Sequence, residues 1–135
     1  MTGSFILDAS AAIAWASPDE APPAVISRAI AGAVPIVPQL WLYEVHNALL
    51  MLLRRRRLTQ EGWQAASAVL AAVPIEVDSA PRLRVEQDIV ELARVQNLTV
   101  YDTVYLELAK RHRLPLATLD DALRKAAKKV KVKLL

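Results

Sequence analysis

The chain has 135 residues, 54% hydrophobic and 23% charged, which excludes a disordered tract and predicts one domain, residues 1–135, with a real core. It has no cysteine, which excludes disulfides and thiolate metal sites and suits a reducing cytoplasm. The net charge of +3 fits an anionic partner only weakly, and the start, Met1-Thr2-Gly3-Ser4, lacks the charged and apolar regions of a signal peptide.

Ser4 to Asp8 is predicted as a short strand, apolar on both faces as in a parallel sheet. Ser10 is expected to cap a short helix through Trp15. Pro18, Pro22 and Pro23 bound a loop, and Ala24 to Ala31 follows with Val25, Ile26, Ala29 and Ile30 at helical spacing. Pro35 to Val37 is a strand between prolines, and Gln39 to Arg56 a long helix. Its apolar stretch, Leu40 to Leu53, holds Glu44, His46 and Asn47 and falls short of the roughly 20 residues of a membrane span, so it reads as a buried helix. Thr59 is expected to cap a helix through Val73, and Ile75 to Val77 to form a strand. Arg82 to Gln96 is predicted helical with Leu83, Ile89, Val90 and Ala93 inward. Leu98 to Val100 reads as a turn or a stub of strand. Asp102 to His112 is a helix, Leu114 to Leu119 a strand, Asp121 to Lys128 a helix and Val130 to Leu134 a last, half-exposed edge strand. Strands alternating with helices predict an α/β fold on a central parallel sheet.

Four acids fall at telling places in this plan. Asp8 and Asp120 follow apolar strands, Glu44 interrupts an apolar helix, and Asp102 opens another. In open α/β sheets, sites lie beyond the carboxyl ends of the strands, where the strand order reverses. Glu44 and Asn47, three apart, share one helix face, and Asp102 sits in a first turn that favours an anion. Burying charge without a partner is costly, and no Lys or Arg stands beside Asp8 or Glu44 in sequence. A divalent cation held by these hard oxygen donors resolves the cost; Mg2+ or Mn2+ suits them, and nothing argues for zinc. The bland alternatives are that Asp102, Asp120 and Asp121 are helix caps and that Glu44 reaches solvent.

The stretches Leu7-Asp8-Ala9-Ser10-Ala11, Glu44-Val45-His46-Asn47-Ala48-Leu49, Tyr101-Asp102-Thr103-Val104-Tyr105 and Leu116-Ala117-Thr118-Leu119-Asp120-Asp121 resemble, in order and spacing, those of PIN domains, and most closely the VapC-type toxins of toxin–antitoxin pairs. The resemblance implies a three-layer α/β/α sandwich with a five-stranded parallel sheet, of the RNase H-like kind. It implies a Mg2+-dependent endoribonuclease, with Asp8, Glu44, Asp102 and Asp120 as catalytic acids and metal ligands. Ser10, Asn47 and Thr118 fall on secondary polar positions, and Asp121 is the alternative to Asp120. It further implies a homodimer, a cognate VapB-type antitoxin and structured RNA, such as tRNA or rRNA, as substrate. Three rivals remain: a PIN nuclease of RNA processing outside a toxin–antitoxin pair; a Mg2+-dependent phosphoryl-transfer module such as a receiver or a haloacid-dehalogenase-like phosphatase; and a catalytically dead binding module, which the intact set of acids argues against. The phosphatase pattern would place an acid where this chain has Ser10.

Arg54 to Arg57 ends the long helix, and Lys125, Lys128, Lys129, Lys131 and Lys133 form a basic tail. Either is a solvated face first and a nucleic-acid contact second. Trp15, Trp41 and Trp63 are expected in the core or an interface, and His46 and His112 to be structural or exposed.

Overall fold

Phe5, Ile6 and Leu7 are almost completely buried, as an unbroken apolar run in a parallel sheet should be. In the computed structural model, which describes residues 3–135, the run carries the strand β1 (Ile6–Leu7). Of the start Met1-Thr2-Gly3-Ser4, Met1 and Thr2 lie outside the described residues. The chain continues through α1 (Ala9–Ala16), α2 (Ala24–Gly32), β2 (Ile36–Pro38), α3 (Gln39–Arg54), α4 (Gln60–Ala72) and β3 (Glu76–Asp78). Next come α5 (Arg82–Arg84), a π turn (Val85–Ile89) and α6 (Val90–Gln96). It ends with α7 (Val100–His112), β4 (Leu116–Ala117) and α8 (Asp121–Lys129).

All strand pairs are parallel, in the order β3-β2-β1-β4. The chain steps outward from β1 to β3, then crosses back to place β4 on the other side of β1. Right-handed crossovers in opposite directions put helices on opposite faces. Accordingly α1 packs with α2, α3 and α4, and α7 with α6 and α8, on two sides of the sheet. This is the expected α/β/α layering, with the strand order reversing between β1 and β4.

Four expectations need correction. The sheet has four strands, not five: the predicted strand from Val130 to Leu134 is reduced to a bridge between Leu116 and Leu134. α8 runs on to Lys129 and Lys131 turns back with a φ of 62°, so too little chain is left to pair. Leu116 N donates to Lys133 O at 2.8 Å and Leu135 N to Leu116 O at 3.1 Å, two hydrogen bonds that fill the fifth position with one bridge. Ser10 is not the cap of α1; Asp8 is, its Oδ1 accepting from Ala9 N at 2.8 Å. Leu83 and Val90 face outward, at 63% and 45% exposure, while Ile89 and Ala93 are buried. The π turn adds a residue to one coil and breaks the 3.6 spacing that Leu83 would need, and Val90 lies about 100° around the helix from Ile89. Finally, Val100 already belongs to α7, after Asn97 ends α6 in the left-handed region.

Other expectations hold. Thr59 caps α4, its Oγ1 accepting from Gly62 N at 3.0 Å. Trp41 is buried, and Trp15 and Trp63 pack half-buried on the core. His46 is exposed; His112 lies 3.7 Å from Asp78 at the foot of α7. Among the described residues, no helix is long and apolar enough to cross a membrane.

Candidate active site

The β1–β4 ladder sets Leu7 against Ala117, so the next residues, Asp8 and Thr118, meet at the carboxyl edge of the sheet. Both are buried. Thr118 Oγ1 donates to Asp8 Oδ2 at 2.6 Å, and Ser10 Oγ donates to the same oxygen at 2.7 Å. The two hydroxyls then accept from the main chain: Ser10 Oγ from Leu119 N at 3.0 Å, and Thr118 Oγ1 from Asp120 N at 3.1 Å. A hydroxyl has one proton, so with both given to Asp8 the 3.3 Å approach of Ser10 Oγ to Thr118 Oγ1 is contact without a bond. Ser10 and Thr118 thus tie the loop after β4 to the carboxylate after β1.

The other acids come from three helices. Asp120 caps α8, its Oδ1 accepting from Leu123 N at 2.8 Å. Asp102 is the third residue of α7; the cap there is Thr99, whose Oγ1 accepts from Asp102 N at 3.1 Å. Glu44 projects half-buried from α3 and accepts at Oε1 from the Tyr105 hydroxyl, at 2.5 Å. Asn47 is exposed one turn along α3, and Asp121 is exposed at the start of α8; neither enters this network.

The acids also act on one another. Burial pushes Asp8 above the usual carboxylate range despite its three hydrogen bonds, and Asp120 adds to the rise. Burial raises Glu44 against the Tyr105 hydrogen bond, with Asp8 and Asp102 adding repulsion. Burial also raises Asp102, and Asp120 and Asp8 add to it. Among the described residues, no Lys or Arg acts on these three. Arg124 reaches this end of β4 but gives its guanidinium to Thr118 O at 2.8 Å. Asp8 is thus coupled to Glu44, Asp102 and Asp120 through repulsion, and among the described residues no Lys or Arg offsets it at Asp8, Glu44 or Asp102.

Counting lone pairs tests the fit to a metal. Asp8 Oδ2 has both lone pairs occupied, and Oδ1 keeps one beside Ala9 N. Glu44 Oε2 and Asp120 Oδ2 accept no hydrogen bond among the described residues. The open positions are all hard oxygens, as Mg2+ or Mn2+ requires. Among the described residues, no three acids or imidazoles converge as a ready ligand cage. The residues fit a cation that completes its shell with water or substrate oxygens, as Mg2+ does.

Tyr105 is the participant that sequence reasoning missed. Its signal was spacing: three residues after Asp102, it shares a helix face with that acid.

A family model described as PIN domain matches residues 5–129. Among solved crystal structures, PAE2754 from Pyrobaculum aerophilum is 29% identical, with a TM-score of 0.68 over 93% of this chain and 86% of that one. FitAcB from Neisseria gonorrhoeae is 16% identical, with a TM-score of 0.64 over 97% of this chain and 96% of that one, a likeness of fold. No curated protein matches the chain significantly. With the model spanning nearly its whole length, and with the parallel sheet and two helical layers in place, the chain belongs to the PIN domain family, whose members are generally nucleases.

Proposed function

We propose that residues 1–135 form one PIN domain acting as a Mg2+-dependent endoribonuclease, with Mn2+ able to substitute, of the VapC toxin type. Its substrate is structured RNA such as tRNA or rRNA. The observation that supports the reading is the mutual repulsion of acids at the strand-order reversal, where among the described residues no Lys or Arg acts on Asp8, Glu44 or Asp102. Asp8, Glu44, Asp102 and Asp120 would hold the metal. When bound, it would neutralise the acids and polarise the scissile phosphate. The chain's own part is positioning. Ser10 and Thr118 fix the Asp8 carboxylate through Oδ2, and Oδ1 keeps one lone pair beside Ala9 N. Their protons are committed to Asp8, so neither hydroxyl is a free nucleophile, and water is the attacking group.

The partner reading is a homodimer inhibited by a cognate VapB-type antitoxin. Its support is α3, where Leu42 and Tyr43 are exposed immediately before Glu44. An amphipathic segment laid on them would cover apolar surface and block access to the acids at once.

The decisive measurement is cleavage-site mapping on total RNA with Mg2+, comparing the wild type with Asp8→Asn and Asp102→Asn. Each variant is expected to stay folded and lose cleavage. Near wild-type cutting by either would remove that acid from the site. Expression of the wild type alone is expected to arrest bacterial growth and that of Asp8→Asn to permit it. Harmless expression of a protein that cleaves RNA would move the reading to a PIN nuclease outside a toxin–antitoxin pair.

A further inference from the structure

We infer that Tyr105 is a positioning residue that holds Glu44 in place for the cation, an inference that rests on the four-acid reading above. Glu44 stands on α3, on the opposite side of the sheet from α7, and a long side chain in a half-buried place has several rotamers open to it. Tyr105 is fully buried, with its ring fixed in the core, and its hydroxyl reaches across to Glu44 Oε1 at 2.5 Å. That is a charge-assisted hydrogen bond in the short range. It fixes Oε1, which keeps one lone pair, and leaves Oε2 without a partner among the described residues, so Glu44 presents its open oxygen in a set direction. The same helix carries Asp102 one turn earlier, so α7 sets both its own acid and the one opposite. Partners of this kind, which orient a ligand without touching the metal, typically change metal affinity about 10- to 100-fold when removed.

The test is Mn2+ binding by isothermal titration calorimetry on the purified chain without RNA. Tyr105→Phe keeps the ring and deletes the hydroxyl. It is expected to weaken Mn2+ binding about 10-fold or more, and to lower kcat for RNA cleavage while KM stays unchanged. Because Tyr105 acts through Glu44, the double variant Y105F/E44Q should lose no more affinity than E44Q alone. Asp8→Asn is the control on the underlying reading. If Asp8→Asn abolishes Mn2+ binding and Tyr105→Phe binds like wild type, the positioning role is overturned and the acid site stands. If Asp8→Asn binds Mn2+ like wild type, the acid site falls and Tyr105 with it. Additive losses in the double variant would also overturn the inference, since they would mean a role independent of Glu44. Should Tyr105→Phe fail to fold, the near-ultraviolet difference spectrum on adding Mn2+ reads the same contact. A tyrosine perturbation present in wild type and absent in E44Q supports it; the same spectrum in both overturns it.

Discussion

Asp8 shows at one residue why this site is costly without a counter-charge. It accepts hydrogen bonds from Ala9 N, Ser10 and Thr118, yet burial outweighs all three and pushes it above the usual carboxylate range. Glu44 and Asp102 are raised as well. Groups whose folded values lie above the unfolded ones bind more protons in the folded chain. Their share of the stability is therefore greatest below the unfolded value, near 3.8 for Asp, and is lost as pH climbs through the raised folded value. Removing one of the repelling charges should cancel part of that loss. Asp102→Asn is thus expected, in EDTA at neutral pH, to melt as high as the wild type or higher, with the difference shrinking toward pH 4. Added Mg2+ should stabilise the wild type by about 2.7 kcal/mol at a hundredfold excess over its dissociation constant, and the variant by less. Thermal scans across pH, with and without metal, check both halves. Equal metal-induced shifts in the two proteins would place the cation elsewhere.

At the scale of the element, helix starts do two jobs in this chain. Thr59 and Thr99 make equivalent caps, each accepting from the amide three residues on, at 3.0 and 3.1 Å. Replacing either by Ala should cost about 1 kcal/mol. The consequences should nevertheless differ, because Thr99 begins the helix that carries Asp102 and Tyr105, and Thr59 begins one that carries none of the acids. Thr99→Ala is expected to weaken Mn2+ binding and cleavage, and Thr59→Ala to leave both unchanged at a similar loss of melting temperature. Calorimetry on the two proteins at matched stability decides it. A different kind of element, the ion-pair knot at the foot of α7, ties the opposite end. Arg111 reaches Asp78 at 2.9 Å and Glu107 at 3.0 Å, and Arg84 stands 4.0 Å from Glu107. Burial would raise Asp78, but Arg111 and His112 outweigh it and hold it low. The knot fixes α7 to β3 and so steadies the helix whose first turn lies at the acids.

For the whole molecule, parallel topology separates charge. Every strand ends at the same edge, and α1, α7 and α8 begin close to the acids. Two groups of cations lie where helices end. Arg56 and Arg57 follow α3 and share a depression with Pro18 and Asp19, just past α1. Lys110, Arg113, Lys131 and Lys133 line a groove at the far ends of α7 and α8. Cations complement helix C-termini, which accounts for their placement without any ligand. RNA seated at Asp102 reaches Arg113 only by running about 16 Å along α7. The expected result is a steep fall of RNA affinity with salt, flattened by up to about 2 units of log–log slope in K131Q/K133Q. Cleavage at saturating RNA should not change. An unchanged slope would return these lysines to the role of neutralising helix ends.

Local chemistry was legible in the chain itself. Apolar runs without alternation announced buried parallel strands at Phe5-Ile6-Leu7 and Leu116-Ala117, and Thr59 announced its helix, because strand burial and capping act between neighbours in sequence. The acids could be read as a group because charge in apolar surroundings needs a reason wherever it occurs. What sequence could not decide depended on partners distant in the chain. Ser10 reads as a cap until β4 places Thr118 and Leu119 against it, 108 and 109 residues on, and Asp8 takes the cap instead. Tyr105 reads as core until Glu44 arrives from 61 residues away. Val130 to Leu134 alternates like a strand, but a strand exists only where a neighbour has backbone groups to share, and two-residue β4 offers enough for one bridge. Periodicity states which residues can face inward together; the sheet order and the π turn decided which of them do.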